Sequence, residues 1–583
     1  MNVKTTSNRT ATLVILNLLT LAWFLYVLSV YMARPVFQQA QYTDPLAEIH
    51  SLSPLFYLSL VITALSGVGC LIWRLGNKYL HLLILSMFAV MLWLTPYLLA
   101  GFTRTPDAPW HLGIAMQMPQ VLAGVPIAFS KYARFYPGSY IFHYSFVTIT
   151  GLRPLTYMQF YPPVCLFLFV LLCYVLIGKV FDRSVAFLSL LFAIPGLHYV
   201  QIHASPHTIG ALLMLTALLL LTLPGLAARA LSVPVIIAII ISHPATPLLL
   251  SIFLASVLVT TFMYSRRISR PWMIFAVVMV ACFIGWLSLY SRYIQPEAAS
   301  PFVTSTIKSA TSGSSQGIIN QIFPSDFSTA GDYIAGTAFI FGNIFNLNKG
   351  IYLLYAVAAI SSIMAVLAKS YSSKPSIRDW IAGVAGVLQQ EAFLICAVPV
   401  FLVLIFLLAA QAHDLIETGL TYIILDISVI FASMSLRFHW FANLKGFSLL
   451  VAGVLFVTLT FPIVAYSIDA YTSFPASEAA GLRFLAGDLS LSGKNVAGAF
   501  LDQIELFNPQ FTNNPVFLEL SQLKEEPDIA VFRHSYYYYS AMRFDMSFTR
   551  NAYSENLARV QSIGYDQVYS DPTFIIYSKP VTP

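Results

Sequence analysis

About thirteen apolar runs, most of them close to the length of a membrane-spanning helix, decide what this sequence can fold into. Of its 583 residues, 58% are hydrophobic and only 10% are charged. A soluble globular protein has about 25% charged residues, and an α-helix needs roughly 20 apolar residues to cross the hydrocarbon core. The sequence therefore predicts a polytopic α-helical membrane protein and excludes a soluble enzyme.

The first run is expected to remain in the mature protein, because it is long and no clear small-residue cleavage site follows it. The predicted spans lie at 12–31, 54–73, 80–100, 160–180, 184–199, 207–224, 231–242, 245–264, 272–292, 351–368, 391–411, 418–436 and 447–467.

Lys and Arg fix the predicted orientation, because short cytoplasmic loops carry an excess of them. With a cytoplasmic N-terminus, every predicted inner loop is basic and the C-terminal segment lies outside the membrane. The apolar run in Ser139–Leu152 is too short to span, so it is predicted to be a helix on the outer surface. The net charge of +6 comes mainly from these short loops. It indicates topology and does not indicate nucleic-acid binding.

Two domains are expected. Residues 1–468 form a multispanning transmembrane domain with outer loops 32–53, 102–159 and 294–350. Residues 469–583 form a small extracytoplasmic α/β domain, because polar residues return there. Its predicted elements are a short helix at Ser477–Leu485 and strands at Ile529–Phe532 and Thr573–Tyr577.

Asp107 is the first candidate catalytic residue. It lies in a polar stretch, Arg104–His111, directly after the third apolar run. A carboxylate at the outer mouth of a membrane bundle can act as general base on an acceptor hydroxyl. The alternative is that Asp107 caps a helix starting near Pro109, since Pro favours the first helical position.

Asp44 and Glu48 form a competing acidic site in the loop after the first span. Being four residues apart, they would share one helix face. They are candidates for the catalytic base, or for a helix cap and a solvated face.

The long outer loop also holds all but one of the candidate substrate-binding residues. Arg suits a lipid phosphate because its guanidinium binds phosphate oxygens in pairs, although outer arginines also anchor lipid headgroups. Aromatic and histidine side chains accompany these arginines, and one histidine marks a turn between two short helices. The candidates are Arg104, Trp110, His111, Arg134, Tyr136, His143, Arg153 and His243.

His203 and His207 have the four-residue spacing of a metal-binding pair on a helix. Pro206 lies between them and makes a regular helix doubtful, and no HExxH-like carboxylate accompanies them. Interfacial hydrogen-bonding histidines are therefore favoured over a metal site.

Several short motifs together resemble the GT-C glycosyltransferase superfamily, in particular its prokaryotic and archaeal multispanning members. An Asp followed by a His ends an apolar span, and a Ser-His-Pro turn comes later. The other motifs are Phe135-Tyr-Pro-Gly138, Thr150-Gly-Leu152 and the run Ser473–Gly481 that opens the C-terminal segment. The chain lacks a Trp-Trp-Asp tract in that segment, and around Asp107 it lacks the acidic pair that protein mannosyltransferases have in their first loop.

The resemblance implies sugar transfer from a polyprenyl-phosphate-linked donor, on the outer face of the cell membrane, to a sugar, lipid or protein acceptor. It places the family's acidic residue, the catalytic base, at Asp107 or Asp44, and donor phosphate at Arg104, Arg134 or Arg153. The cofactor is open, with a divalent metal ion as one expectation. Two other functions are compatible with the sequence. The first is a transporter or flippase, for which Asp426 inside a span would be relevant. The second is a non-catalytic surface assembly protein.

Overall fold

The computed structural model describes the chain in segments, and most of them are helical. They comprise residues 2–40, 47–100, 107–124, 130–197, 203–265, 270–293, 424–433, 435–436, 444–472, 481, 484–485, 496–498, 528–533, 557–558, 560–562, 565–571 and 574–578.

Helices account for nearly all of the described chain up to residue 472. The first nine are α1 (Asn2–Ala40), α2 (Ala47–Ser51), α3 (Pro54–Ile72), α4 (Lys78–Ala89), α5 (Thr95–Ala100), α6 (Asp107–Met116), α7 (Met118–Leu122), α8 (Ser130–Phe135) and α9 (Pro137–Thr150). The others are α10 (Pro154–Val180), α11 (Arg183–Ala193), α12 (Pro206–Thr222), α13 (Leu226–Ser242), α14 (Ala245–Ser265), α15 (Arg270–Tyr293), α16 (Ile424–Ser433) and α17 (Leu444–Thr472). A π-helical turn, Val90–Leu94, joins α4 to α5, and a 3₁₀ turn, Ile194–Gly196, follows α11.

The predicted polytopic helical architecture is confirmed. Within the described segments, four helices have the length and apolar composition to cross a membrane. These are Asn8–Phe37, Pro54–Ile72, Lys78–Leu99 and Pro154–Val180. The predicted spans 351–368 and 391–411 lie outside the described residues. Helix α1 extends to Ala40, nine residues past the predicted end of the first span, because helical hydrogen bonding does not stop where the apolar run does.

Aromatic and hydroxyl side chains connect the central helices. The Tyr26 hydroxyl of α1 lies 3.1 Å from Oγ1 of Thr95 in α5. The Trp93 indole N–H donates to the carbonyl oxygen of Ile194 at 3.3 Å, and its ring lies 5.4 Å from that of Phe461 in α17. Lipid tails are as apolar as these side chains, so close packing and such hydrogen bonds hold the helices together.

His81 joins the N-terminal end of α4 to neighbouring helices. One ring nitrogen, Nε2, lies 2.7 Å from the Leu75 carbonyl oxygen, and Nδ1 lies 3.0 Å from the Tyr174 hydroxyl of α10. The ring also stacks on Phe187 of α11 at 4.1 Å. With both nitrogens paired, this buried imidazole joins three helices.

Helix α9 confirms the short helix predicted for Ser139–Leu152. Its buried residues, Ser139, Tyr140, His143 and Val147, recur at the spacing of one helix face. Its other face carries large exposed apolar side chains, and Ile149 is 84% exposed. An amphipathic helix that turns apolar side chains outward suits a membrane interface.

The described C-terminal strands form one four-stranded sheet with the order β1-β2-β4-β3. They are β1 (Val496–Gly498), β2 (Ile529–Arg533), β3 (Asp566–Asp571) and β4 (Phe574–Ser578). The β1–β2 pair is parallel and the other two pairs are antiparallel. The two predicted strands correspond to β2 and β4. Of the predicted helix Ser477–Leu485, the described residues 481 and 484–485 are helical.

Candidate functional site

Helix α6 begins at Asp107, two residues before the start expected at Pro109. The first turn of a helix favours a negative charge, because its backbone N–H groups lack helical partners. His111 follows Asp107 by four residues, which is about one turn. The backbone therefore places a carboxylate residue and an imidazole residue in successive turns at the start of α6.

His111 is held in place by helix α9. Its Nδ1 lies 2.9 Å from the hydroxyl of Tyr140, and the two side chains are 8% and 0% exposed. The Trp110 ring packs against the His111 ring with a centroid distance of 4.6 Å. Two of the predicted substrate-binding residues are therefore in mutual contact, with His111 anchored through Tyr140.

Three further histidines lie near His111, and the four are called here the histidine cluster: His111, His203, His207 and His243. The His203 ring is stacked near that of His111 at 6.5 Å. The rings of His207 and His243 are 4.0 Å apart. Three of the four side chains are buried and His207 is half-buried.

Burial lowers the pKa of His111 well below its usual range. His203, His207 and, from outside the histidine cluster, His143 lower this pKa further, because a second positive charge would be unfavourable. His111 is therefore neutral at pH 7 and has both a donor and an acceptor nitrogen.

His203 and His207 do not share a helix face. Ser205 caps α12, its side chain accepting the backbone N–H of Thr208, and the helix starts at Pro206. His203 thus precedes the helix while His207 lies in its first turn. The proline separates the pair, as the sequence indicated.

The described residues do not fit a metal site. They contain no group of three or more His, Cys, Asp or Glu side chains arranged to hold an ion. A divalent metal ion stays a prediction that would depend on acidic side chains outside the described part of the chain.

His243 lies in the turn between α13 and α14, where the sequence predicted it. Its Nδ1 is 2.9 Å from the hydroxyl of Thr246 and accepts the backbone N–H of Thr246 at 3.3 Å. The side chain is 2% exposed. Its ring orientation is therefore set by the first turn of α14.

His143 lies apart from the histidine cluster, between α9 and α10. Its Nδ1 is 2.7 Å from the Tyr157 hydroxyl, and its ring meets that of Tyr161 at 5.1 Å. Burial lowers the pKa of His143 to about 3. In this arrangement His143 joins two helices. Its predicted role in substrate binding stays a prediction.

The cationic candidates lie in separate segments of the chain. Arg134 is half-buried in the last turn of α8, where a positive charge complements the helix dipole. Tyr136 is buried just before α9, and Arg153 is exposed just before α10. Glu48 lies in α2. Asp44 and Arg104 lie outside the described residues, as do the side chains of Glu48 and Asp107.

The sequence interpretation missed the side chains that orient the histidines, namely Tyr140, Tyr157 and Thr246. Only Thr246 has a local signal, because a Thr three residues after a His at a helix start can bond to it. Tyr140 is 29 positions from His111, so nothing local in the sequence identifies the pair.

No protein-family model matches the chain, and no curated protein matches it. The chain is similar to solved membrane enzymes. One is ArnT from Cupriavidus metallidurans bound to undecaprenyl phosphate, with a TM-score of 0.48 and 12% identity over 87% of this chain and 99% of ArnT. Another is the oligosaccharyltransferase AglB from Archaeoglobus fulgidus, in complex with an inhibitory peptide and a dolichol-phosphate. Its TM-score is 0.47, with 13% identity over 86% of this chain and 74% of AglB.

ArnT and AglB are GT-C membrane glycosyltransferases, the superfamily that the sequence motifs resemble. Their TM-scores are below 0.5, so the roles of individual residues rest on the site itself.

Proposed function

We propose that this protein is a membrane glycosyltransferase that moves a sugar from a polyprenyl-phosphate-linked donor to an acceptor hydroxyl at the outer face of the cytoplasmic membrane. The observation that carries the proposal is the histidine cluster beside the helix that starts at Asp107. A neutral imidazole offers one hydrogen-bond donor and one acceptor. A group of four imidazoles can therefore bind the hydroxyl and phosphate oxygens of a lipid-linked sugar.

In the proposed reaction, Asp107 takes the proton of the acceptor hydroxyl as its oxygen attacks the anomeric carbon of the donor sugar. The bond between that carbon and the phosphate oxygen breaks, and the lipid phosphate leaves with the electron pair. A positioned general base contributes about 10²–10⁴-fold to such a step. Asp107 suits this role because it is one helical turn from His111.

The donor phosphate is proposed to bind arginine side chains of the same outer region. Arg134 is half-buried at the end of α8 and precedes α9, the helix that holds His111 through Tyr140. Arg104 is close to Asp107 in sequence, and Arg153 begins the segment leading into α10. Arg binds phosphate oxygens in pairs, so these three are proposed to share donor binding.

The test is sugar transfer by the purified full chain from a polyprenyl-phosphate sugar, measured for wild type and Asp107→Asn. We expect turnover to fall by about 10²–10⁴-fold while binding of undecaprenyl phosphate is retained. Asp182→Asn is the matched control. Asp182 caps α11 by accepting the backbone N–H groups of Ser184 and Val185, and Asn is an equally good cap.

Asp44→Asn and Glu48→Gln distinguish the alternative base. If either abolishes transfer while Asp107→Asn keeps it, the base is in the first outer loop. If wild type neither binds the lipid phosphate nor transfers sugar, the transferase proposal is wrong and transport assays become the next experiment.

A further inference from the structure

The hydrogen bonds between Thr246 and His243 fix the tautomer of this histidine. A backbone N–H can only donate, so Nδ1 of His243 must present its lone pair to the N–H of Thr246. The Thr246 hydroxyl, 2.9 Å from the same nitrogen, then donates as well. A neutral His243 therefore carries its proton on Nε2.

This tautomer restricts what His243 can do. With its proton on Nε2 and its lone pair occupied at Nδ1, the ring is a hydrogen-bond donor. Acting as a base or as a metal ligand requires a free lone pair, and metal-bound histidines donate their other N–H rather than accept there. His243 is thus suited to a ligand oxygen that accepts a hydrogen bond.

Gly210 makes this arrangement possible. A Cβ at position 210 of α12 would overlap Oγ1 of Thr246 and would lie 3.4 Å from Cβ of His243. Only glycine allows α12 to approach the turn this closely. The same helix carries His207, whose ring is 4.0 Å from that of His243. The close approach therefore also brings two members of the histidine cluster together.

We propose that Thr246 is a positioning residue, which locks His243 as an Nε2–H donor to a phosphate oxygen of the lipid-linked donor, with Gly210 as the residue that admits it. A phosphate oxygen fits because it accepts hydrogen bonds and bears charge, and bonds to charged groups are the stronger ones. The inference rests on the proposed function, because it names a residue that binds the donor of that reaction.

The first experiment measures binding of undecaprenyl phosphate to the detergent-solubilised full chain. Thr246→Val removes the hydroxyl and keeps the shape, and we expect Kd to rise about tenfold, as for loss of a well-placed bond to a charged group. Thr246→Ser restores the hydroxyl and should bind within about twofold of wild type. Thr216→Val is the control, because the Thr216 hydroxyl of α12 bonds only its own helix, at Leu212.

Gly210→Ala should weaken binding at least as much as Thr246→Val, because its methyl group displaces Thr246. Gly285→Ala is its control, since a Cβ there meets nothing within 4 Å. Thermal unfolding of each variant separates a loss of binding from a loss of folding.

The second experiment tests the tautomer. His243→Gln places an amide N–H₂ near the position of Nε2, whereas His243→Asn places its amide near Nδ1. We expect Gln to retain most of the binding and Asn to lose it, a difference that a purely structural role would not produce. Asn binding better than Gln, or Thr246→Val binding like wild type while folded, would overturn the inference.

The two proposals fail in different ways. Absence of lipid-phosphate binding by wild type refutes the proposed function. Normal binding by wild type, unchanged in folded Thr246→Val and His243→Asn, refutes only the role of Thr246 and His243.

Discussion

The hydroxyl of Tyr140 lies 2.9 Å from Nδ1 of His111 and joins α9, a helix with an apolar outer face, to α6, the helix that begins at Asp107. Both side chains are buried. Helix α9 therefore fixes an imidazole one turn from the proposed catalytic base.

Tyr140→Phe is predicted to destabilise the protein by about 1–3 kcal/mol, because it leaves the buried Nδ1 of His111 without its partner. Thermal unfolding in detergent measures the change. Tyr161→Phe is the comparison, because the buried Tyr161 hydroxyl has no hydrogen-bond partner among the described residues. It should cost less, and an equal cost for the two variants would contradict the role given to Tyr140.

Stability is predicted to fall on acidification below about pH 6.5, the usual pKa of an unfolded histidine. Burial lowers the pKa of His143 to about 3 and that of His111 well below its usual range. Between the two pKa values the unfolded chain binds a proton that the folded chain does not. Each of these histidines then lowers the free energy of unfolding by about 1.4 kcal/mol for every pH unit of acidification.

Melting temperatures of wild type and His143→Gln, measured as a function of pH, check this predicted loss of stability. The variant should lose less stability between pH 7 and pH 5 than wild type does. Thr216→Val, which changes no titratable group, should keep the wild-type slope. An unchanged slope in His143→Gln would show that this histidine binds protons equally in the folded and unfolded protein, which would contradict the lowered pKa.

Gly138→Ala is predicted to separate α9 from α13. The added Cβ would lie 2.7 Å from Cγ1 of Ile241 and 2.7 Å from Oγ of Ser242. Overpacking of this kind costs about 1–3 kcal/mol. Gly285→Ala, made in open space on α15, should instead be neutral or stabilise by up to about 1 kcal/mol. Equal melting temperatures for the two variants would argue against the close contact.

A nitroxide spin label attached at Ile149→Cys is predicted to lie at the membrane interface. Ile149 is 84% exposed on the outward apolar face of α9, so the label should meet both dissolved oxygen and a water-soluble relaxation agent. A label at the bilayer centre would meet oxygen alone. That result would make α9 a membrane span and would invert the predicted orientation of every later loop.

The helices of the membrane domain could be predicted from the sequence because their signal is local. An apolar run near 20 residues long specifies a spanning helix wherever it packs. The turn at His243 was predictable for the same reason, since Pro244 cannot continue the preceding helix. The end of α1 was not, because the helix continues to Ala40 through residues that are no longer uniformly apolar.

The site was only partly predictable. The sequence selected His111, His203, His207 and His243 as candidates, but their grouping depends on how α6, α12 and α13 approach one another. His203 and His207 looked like a pair on one helix. The start of α12 at Pro206 separates them, and each lies beside a histidine from a distant segment instead.

The sequence by itself determined the membrane class, the positions of the described spanning helices, the short helix α9 and strands β2 and β4. Each depends on a periodic or continuous pattern within one segment. Only the tertiary structure decided that Tyr140 orients His111 and that Thr246 orients His243 in a turn that Gly210 leaves room for. Such contacts join residues of different helices, and their energy depends on packing distance and hydrogen-bond direction, which no local pattern encodes.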